Sequence, residues 1–280
     1  MSDTQITSAS GYNTNNIIYG KPRDGSIPNS SVTFKRIPIT TKNPDGTVGD
    51  LVLKTSRLFS FGLTENINMN TGKPDGYTVS LCLTGLDAPS EEEKHFLDTF
   101  NAICANGAKY ILDHRDDVNK YELVEADLRK FNPIYYKREK GKIVEGSSPV
   151  LYAKVLQNKK TNAITSIFYD QNGRDMDPMS LLNKQCHVTA LIKFECIFIG
   201  SKVSLQIKLQ EAEVTLKESG VKRLMRPVSD APVARVEEKV EPEESVSDSE
   251  SDTGSLPEEE PKVRVVPPAP VKAPVRRMKK

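Results

Sequence analysis

In PVLYAKVLQ, residues 149–157, an aromatic and a cation stand two places apart, Tyr152 and Lys154. Successive side chains of a strand point to opposite faces, so this spacing sets Leu151, Ala153 and Val155 on one face and Tyr152 and Lys154 on the other. A flat ring beside an ammonium suits two contacts at once, stacking on an unpaired base and pairing with a phosphate of the same strand. Taken alone, the pattern is also that of any amphipathic strand, with Tyr152 packed and Lys154 solvated.

The surroundings add weight to the first reading. FNPIYYKREKGK, residues 131–142, interleaves Phe131, Tyr135 and Tyr136 with Lys137, Arg138, Lys140 and Lys142. LKTSRLFSF, residues 53–61, puts Arg57, Phe59 and Phe61 on one alternating face with Lys54 close by. SIFYD adds Phe168 and Tyr169, and NKKTN carries Lys159 and Lys160 at a turn. The candidate contacts are therefore Tyr152 and Lys154, then Tyr135, Tyr136, Lys137 and Arg138, then Arg57 and Phe59. Lys193, Lys202 and Lys208 are weaker candidates, because the long strands that carry them also suit a core or a homodimer interface. With no tryptophan in the chain, stacking falls to Tyr and Phe. No expected helix is basic enough to enter a major groove, which favours an unpaired strand over a duplex.

Catalysis lacks a constellation. His95, His114 and His187 are isolated, and there is no Gly-rich phosphate loop, GxSxG or HExxH. The acids of DHRDDVNKYE read as a solvated helix face, so the expectation is a non-enzymatic protein with no metal or cofactor. The four cysteines show no CxxC spacing and lie in apolar periodic segments, as buried free thiols of a reducing compartment do. The start, MSDTQITSAS, lacks the cationic and apolar regions of a secretion signal. No apolar run approaches the roughly 18 residues of a membrane span. A soluble intracellular protein without a membrane partner is expected.

The elements that must position these side chains are mostly strands. Residues 1–31, rich in Ser, Thr, Asn and Gly, read as a mobile arm. Strand patterns then cover 32–40, 50–61 and 77–84, separated by the turn signals NPDGTVG and NTGKPDG. A helix starts at Ser90, whose capping box is completed by Glu93; Phe96, Leu97, Phe100, Ile103 and Cys104 recur at helical spacing, and Gly107 supplies a stop. A second helical stretch is expected from Ala108 to about Arg129, with HRDDVNKY open to being a loop. Strand patterns return at 149–157, 163–170, 186–200 and 202–216, with NKKTN and GS short enough to join adjacent strands as hairpins. A five-stranded Greek-key barrel whose helix lies between its third and fourth strands gives this order, with an extra hairpin and a longer helical insert. An antiparallel sandwich gives it too.

SSPVLYAKVL, TSIFYD and above all CHVTALIKFECIFIGSKVSLQIKLQEAEV resemble the single-stranded DNA-binding proteins of nucleocytoplasmic large DNA viruses, a family similar in turn to the single-stranded DNA-binding protein of phage T7. The resemblance spans about residues 32–217 and is strongest over about 147–214. It implies an OB-fold, sequence-independent binding of single-stranded DNA in viral replication, recombination or repair, and a flexible acidic C-terminal tail. It also implies a site of action in the host cytoplasm, at a viral factory, or in the nucleus, with packaging in the virion open. DNA rather than RNA rests on this resemblance alone. The rival reading is a virion structural or scaffold protein whose β-domain binds protein.

Residues 218–280 are expected to be a disordered tail. Glu237 to Glu260 hold eleven acids and one base, and Pro261 to Lys280 hold seven bases and no acid. The phage-type tail ends acidic with a terminal aromatic; here the acidic block is internal and VRRMKK is last. Upstream of Arg226 the body carries 29 bases and 26 acids, so bulk charge decides nothing and a local basic groove is what matters. The acidic block is a candidate competitor for that groove, a dock for a replication polymerase or helicase, or a spacer. If it competes, cutting after Leu224 tightens single-strand binding, most at low salt where screening is weak. Removing only residues 261–280 weakens binding, and phosphorylating Ser245, Ser247, Ser249 and Ser251 weakens it further by adding roughly −1.5 to −2 charges each. Titration of both truncations from low to moderate salt checks this; unchanged affinity for both makes the tail a spacer or a partner dock.

Overall fold

A computed structural model describes residues 3–26, 32–67, 72, 74–85, 88–144, 146–158 and 160–217. The chain divides into two units, residues 1–222 and 223–280, and the second lies outside the described residues. The acidic and basic tail blocks therefore lie outside them too, as does Lys159. The described part is mostly β. In chain order its strands begin with β1 Ile6–Thr7, β2 Ile17–Tyr19, β3 Arg23–Ser26, β4 Thr33–Lys42, β5 Val48–Lys54, β6 Leu58–Ile67 and β7 Pro74–Cys82. The helix α1, Glu91–Asp113, follows. Then come β8 Ile134–Tyr135, β9 Arg138–Glu139, β10 Lys142–Ile143, β11 Val150–Val155, β12 Ile167–Asp170, β13 Cys186–Ile199 and β14 Val203–Leu216. Twelve strands form one sheet, and β9 and β10 pair with each other. No described helix is long and apolar enough to cross a membrane.

The pairings run in a cycle. β6 is antiparallel to β7, β7 to β11, β14 to β13 and β13 to β6, while β11 runs parallel to β14. Inside lie the apolar halves of the alternating strands, among them Leu81, Leu151, Ala153, Val188, Ile192, Phe194 and Leu209. α1 packs over β13, with the Phe100 and Phe194 rings 5.0 Å apart. Its start is as expected: the Glu93 N–H donates to Ser90 Oγ at 3.2 Å, and the Ser90 N–H donates to the Glu93 carboxylate at 2.9 Å.

Several expectations are corrected. The segment 50–61 is two strands, β5 and β6, rather than one. It follows β13 throughout but kinks at Thr55, whose N–H donates to the Ala190 carbonyl at 2.9 Å and whose hydroxyl accepts from the Ala190 N–H at 2.9 Å. α1 therefore comes after four long strands, and within the cycle it lies between the second and third strands, β7 and β11. Gly107 does not end the helix, which runs on to Asp113. The glycine is needed for close approach: a Cβ there would meet the Phe131 ring at 3.2 Å. Beyond the helix, residues 114–133 form turns and one short 3-10 turn, Glu125–Leu128, in place of a second α-helix.

Next to NKKTN, Gln157 bridges Ile164. The strands on either side do not pair with each other; β11 and β12 both run parallel to β14, at Lys154↔Lys208 and Ile167↔Glu211. GS does join adjacent strands, β13 and β14. The expected mobile arm is instead built into the sheet over residues 3–26, where β1 pairs with β5 and β2 and β3 pair with β4. Aromatic anchors hold it rather than a periodic apolar face. The Tyr19 ring stacks on Tyr110 of α1 with centroids 4.0 Å apart, and its hydroxyl donates to Asn106 at 2.8 Å.

Gly62, at φ 84°, lies where β6 passes beneath residues 181–184, and a Cβ there would collide with the carbonyl oxygens of Leu181 and Lys184. Both the left-handed backbone and the collision oppose any side chain, so Gly62→Ala should cost roughly 2–4 kcal/mol. Urea unfolding of the two proteins reads that difference as a lower midpoint at unchanged slope.

Candidate nucleic-acid interface

β11 has the alternation its sequence promises. Leu151, Ala153 and Val155 are buried, whereas Tyr152 is 52% exposed and Lys154 is exposed beside it. Strand pairing then decides what surrounds them, because residues directly opposite each other share a face. Tyr152 lies opposite Ser80 and Lys154 opposite Thr78 on β7. On the other edge Lys154 lies opposite Lys208, and Lys208 lies opposite Lys193 of β13. Three lysines thus stand in one row across three strands.

Lys193 is neutralised by Asp50, 2.6 Å away. Among the described residues Lys154 and Lys208 have no ion-pair partner. Lys208 is half-buried; burial first, then the like charges of Lys154 and Arg36, pull its ammonium below the ordinary lysine value, against the opposing pull of Glu195. Like charges directly opposite each other destabilise a sheet, and an anion between them removes the penalty.

Two open grooves meet at this row. One, of about 1060 Å³, is lined by Tyr77, Thr78, Tyr152, Lys154 and Lys208. The other, of about 480 Å³, continues past Lys154 and Lys208 to Gln206, Phe198 and Arg36. The Arg36 guanidinium sits 4.9 Å from the Phe34 ring centre and 5.9 Å from that of Phe198. Two aromatic faces hold it in place while leaving its N–H donors for an acceptor.

Two of the other expected residues, Tyr135 and Phe59, share a row: Tyr135, Val150, Cys82, Phe59 and His187 are successive register partners and form a second row on the same face. It lies two residues along β11 from Tyr152, about 7 Å away. Tyr135 is 56% exposed; Phe59 meets Phe61 edge-on at 5.1 Å and His187 at 6.0 Å. Arg57 is exposed at the start of β6, and its charge, after burial, lowers the His187 pKa.

The structure does not bring in the rest. Tyr136 packs partly buried against the core, and Phe168 is buried. Lys137 pairs with Glu139 at 3.2 Å, and Arg138 donates to the Gly141 carbonyl at 3.5 Å, both within the β9–β10 hairpin. Lys202 faces a different groove, beside the turn between β13 and β14. Arg36, Phe34 and Phe198 were missed by the sequence reading. Phe34 and Arg36 stand two apart in TFKRIPIT, and the rule applied to Tyr152 and Lys154 finds them.

Residues 11–255 match the family described as Protein of unknown function (DUF2738). The chain belongs to that family. Relatives of this member include Uncharacterized protein 007R of Invertebrate iridescent virus 3, 25% identical over 69% of this chain and 41% of its own length. Another is the Early 31 kDa protein of Frog virus 3 (isolate Goorha), 28% identical over 57% of this chain and 61% of its own length. The matched part thus spans less than two thirds of either relative, and both relatives are viral.

Among solved structures, the single-stranded DNA-binding protein from bacteriophage Enc34 in complex with ssDNA is 12% identical, covering 71% of this chain and 96% of that one at a TM-score of 0.33. The single-stranded DNA-binding protein gp2.5 encoded by bacteriophage T7 is 14% identical, covering 62% and 92%, also at 0.33. Scores this low carry no argument for the family member described here.

The lysine row makes a pH prediction. An anion raises the depressed pKa of Lys208, so binding takes up a proton, and affinity for an anionic strand should fall as pH rises towards the ordinary lysine value of 10.5. Lys208→Arg stays charged and should keep its affinity over the same alkaline range. Binding titrations at stepped pH compare the two; parallel curves would remove Lys208 from the site.

Proposed function

We propose that the protein binds single-stranded DNA without regard to sequence, as a non-enzymatic component of viral DNA replication, recombination or repair. One observation carries this reading: the pair Lys154–Lys208, without an ion-pair partner among the described residues, lies in a groove between an open aromatic, Tyr152, and an arginine that lies over Phe34 and Phe198. The cations track the backbone and the rings accept bases, which any unpaired strand can offer. The cyclic pairing of five strands supports an OB-type barrel as the frame, with α1 inserted between its second and third strands. That differs from the expected place between the third and fourth. The viral origin of the relatives supports action in an infected cell, and the acidic block of the tail supplies competition for the groove or a polymerase or helicase dock.

Titration with oligo-dT, the matching duplex and an RNA oligomer tests this. The single strand should win strongly over the duplex, whose base faces are hidden. Tyr152→Ala should cost about 1–3 kcal/mol of binding. Lys154→Ala and Arg36→Ala should each lower the salt slope by roughly 0.7, the single-strand value per phosphate contact. Equal affinity for single strand and duplex would reduce the face to a bare charge patch. No binding at moderate salt would instead favour the scaffold reading.

A further inference from the structure

The groove past Arg36 reaches Ser204 near the start of β14, and Ser204 also lines a third groove of about 830 Å³. Its walls are residues 119–130, from the connection after α1, and the turn between β13 and β14. Lys120, Tyr121, Arg129, Lys130 and Lys202 all face into it. The connection is anchored: Val118, Leu123 and Leu128 are buried in the core. Leu123 N–H donates to the Lys120 carbonyl at 2.9 Å, and Val124 N–H to the Asp127 carboxylate at 3.1 Å.

Two acids, Glu122 and Asp127, line the groove with these four bases, and Asp127 is already engaged with backbone. Among the described residues none of the four bases is in an ion pair. Tyr121 is the most open large hydrophobic side chain among the described residues, 66% exposed, its hydroxyl donating to Asn119 at 3.3 Å. An open ring among unneutralised cations is the same chemistry as at Tyr152 and Lys154, repeated at the end of β14.

We propose that this groove continues the strand path. A single strand long enough to pass Ser204 leaves the Lys154–Lys208 row and runs over the turn between β13 and β14. It then places a further base on Tyr121, with Lys120, Arg129, Lys130 and Lys202 against its phosphates. The inference rests on the single-strand reading and extends it. From Lys208 to Lys202 the path runs six residues along β14, about 20 Å, so an oligomer of about three nucleotides seated at Tyr152 does not reach this third groove. An acidic protein segment would meet the same cations, but continuity with the Arg36 groove at Ser204 and the open Tyr121 ring favour a nucleic-acid strand.

The test compares oligo-dT of about 3 and about 30 nucleotides, lengths on either side of the usual single-strand site sizes of about 4–16. Two full-chain variants are used, Tyr121→Ala and the quadruple Lys120→Ala, Arg129→Ala, Lys130→Ala, Lys202→Ala. On the short oligomer both should match wild type, which also shows that they fold. On the long one Tyr121→Ala should bind about tenfold more weakly. The quadruple variant should lose up to about 2.8 of the salt slope, four contacts at the single-strand value. Wild-type behaviour of both variants on the long oligomer overturns the extension and leaves the groove to an acidic protein partner. Equal losses on both lengths also overturn it, since they mark a general charge effect. Wild-type protein that binds neither length fails the single-strand reading itself.

Discussion

The antiparallel ladder between β13 and β14, from Cys186↔Leu216 to Ile199↔Val203, is the interaction on which the rest of the sheet depends. The free edge of β13 takes β4, β5 and β6 in turn, and the free edge of β14 takes β11 and then β12. Slipping the ladder by one residue would turn its buried row outward and its cations inward. The bulges between Leu191 and Ile192 and between Phe194 and Cys196 keep the alternation in step while the strands bend. Inward side chains such as Ile192, Phe194, Ile207 and Leu209 contribute about 1.5–3 kcal/mol each through burial. Opposed lysines on the outer face cost of order 0.2–1 kcal/mol per pair. The inner face therefore decides the register, and the outer face is free to hold charges that repel.

The outer face uses that freedom unevenly. Lys193 is answered by Asp50, whereas Lys154 and Lys208 have no ion-pair partner among the described residues. Leaving a half-buried lysine beside another cation lowers stability a little and makes a site whose strain an anion relieves. Arg36 solves the related problem of holding a long charged side chain still. Lying over the Phe34 and Phe198 rings, which pack against each other, it has given up part of its side-chain freedom before any ligand arrives, so less is lost on binding.

Period-two reasoning made one strand's contribution legible, the exposed Tyr152 and Lys154 over a buried Leu151, Ala153 and Val155. It could not show that Lys208 would stand opposite Lys154, because that register depends on a parallel pairing between segments over 50 residues apart in sequence. Arg36 was legible beside Phe34 but not beside Phe198, for the same reason. The first 31 residues showed no periodic face, yet residues 3–26 are pinned by single aromatic and hydroxyl contacts such as Tyr19 to Asn106 and Thr99 to the Ala9 carbonyl. Composition does not register anchors of that kind. Gly107 read as a helix stop because a C-terminal glycine usually is one; the Phe131 ring against it, set by tertiary packing, gives the residue its other use.

Indifference to base identity also has a structural argument within the proposed complex. Reading a base edge takes a bidentate partner, commonly the carboxamide of Asn or Gln. The groove that Lys208 shares with Arg36 has two such groups, Gln157 and Gln206. Each has its amide nitrogen turned back to the protein: Gln157 donates to the Asn162 carbonyl at 2.8 Å, and Gln206 donates to Ser204 at 2.9 Å. What stays open to a ligand is the ammonium groups of Lys154 and Lys208, the Arg36 fork and the face of Tyr152. Ammonium and guanidinium groups at that row meet phosphates that every nucleotide carries, and the ring faces accept any base. Turning those two carboxamides to a base edge would cost the contacts that now shape the groove wall.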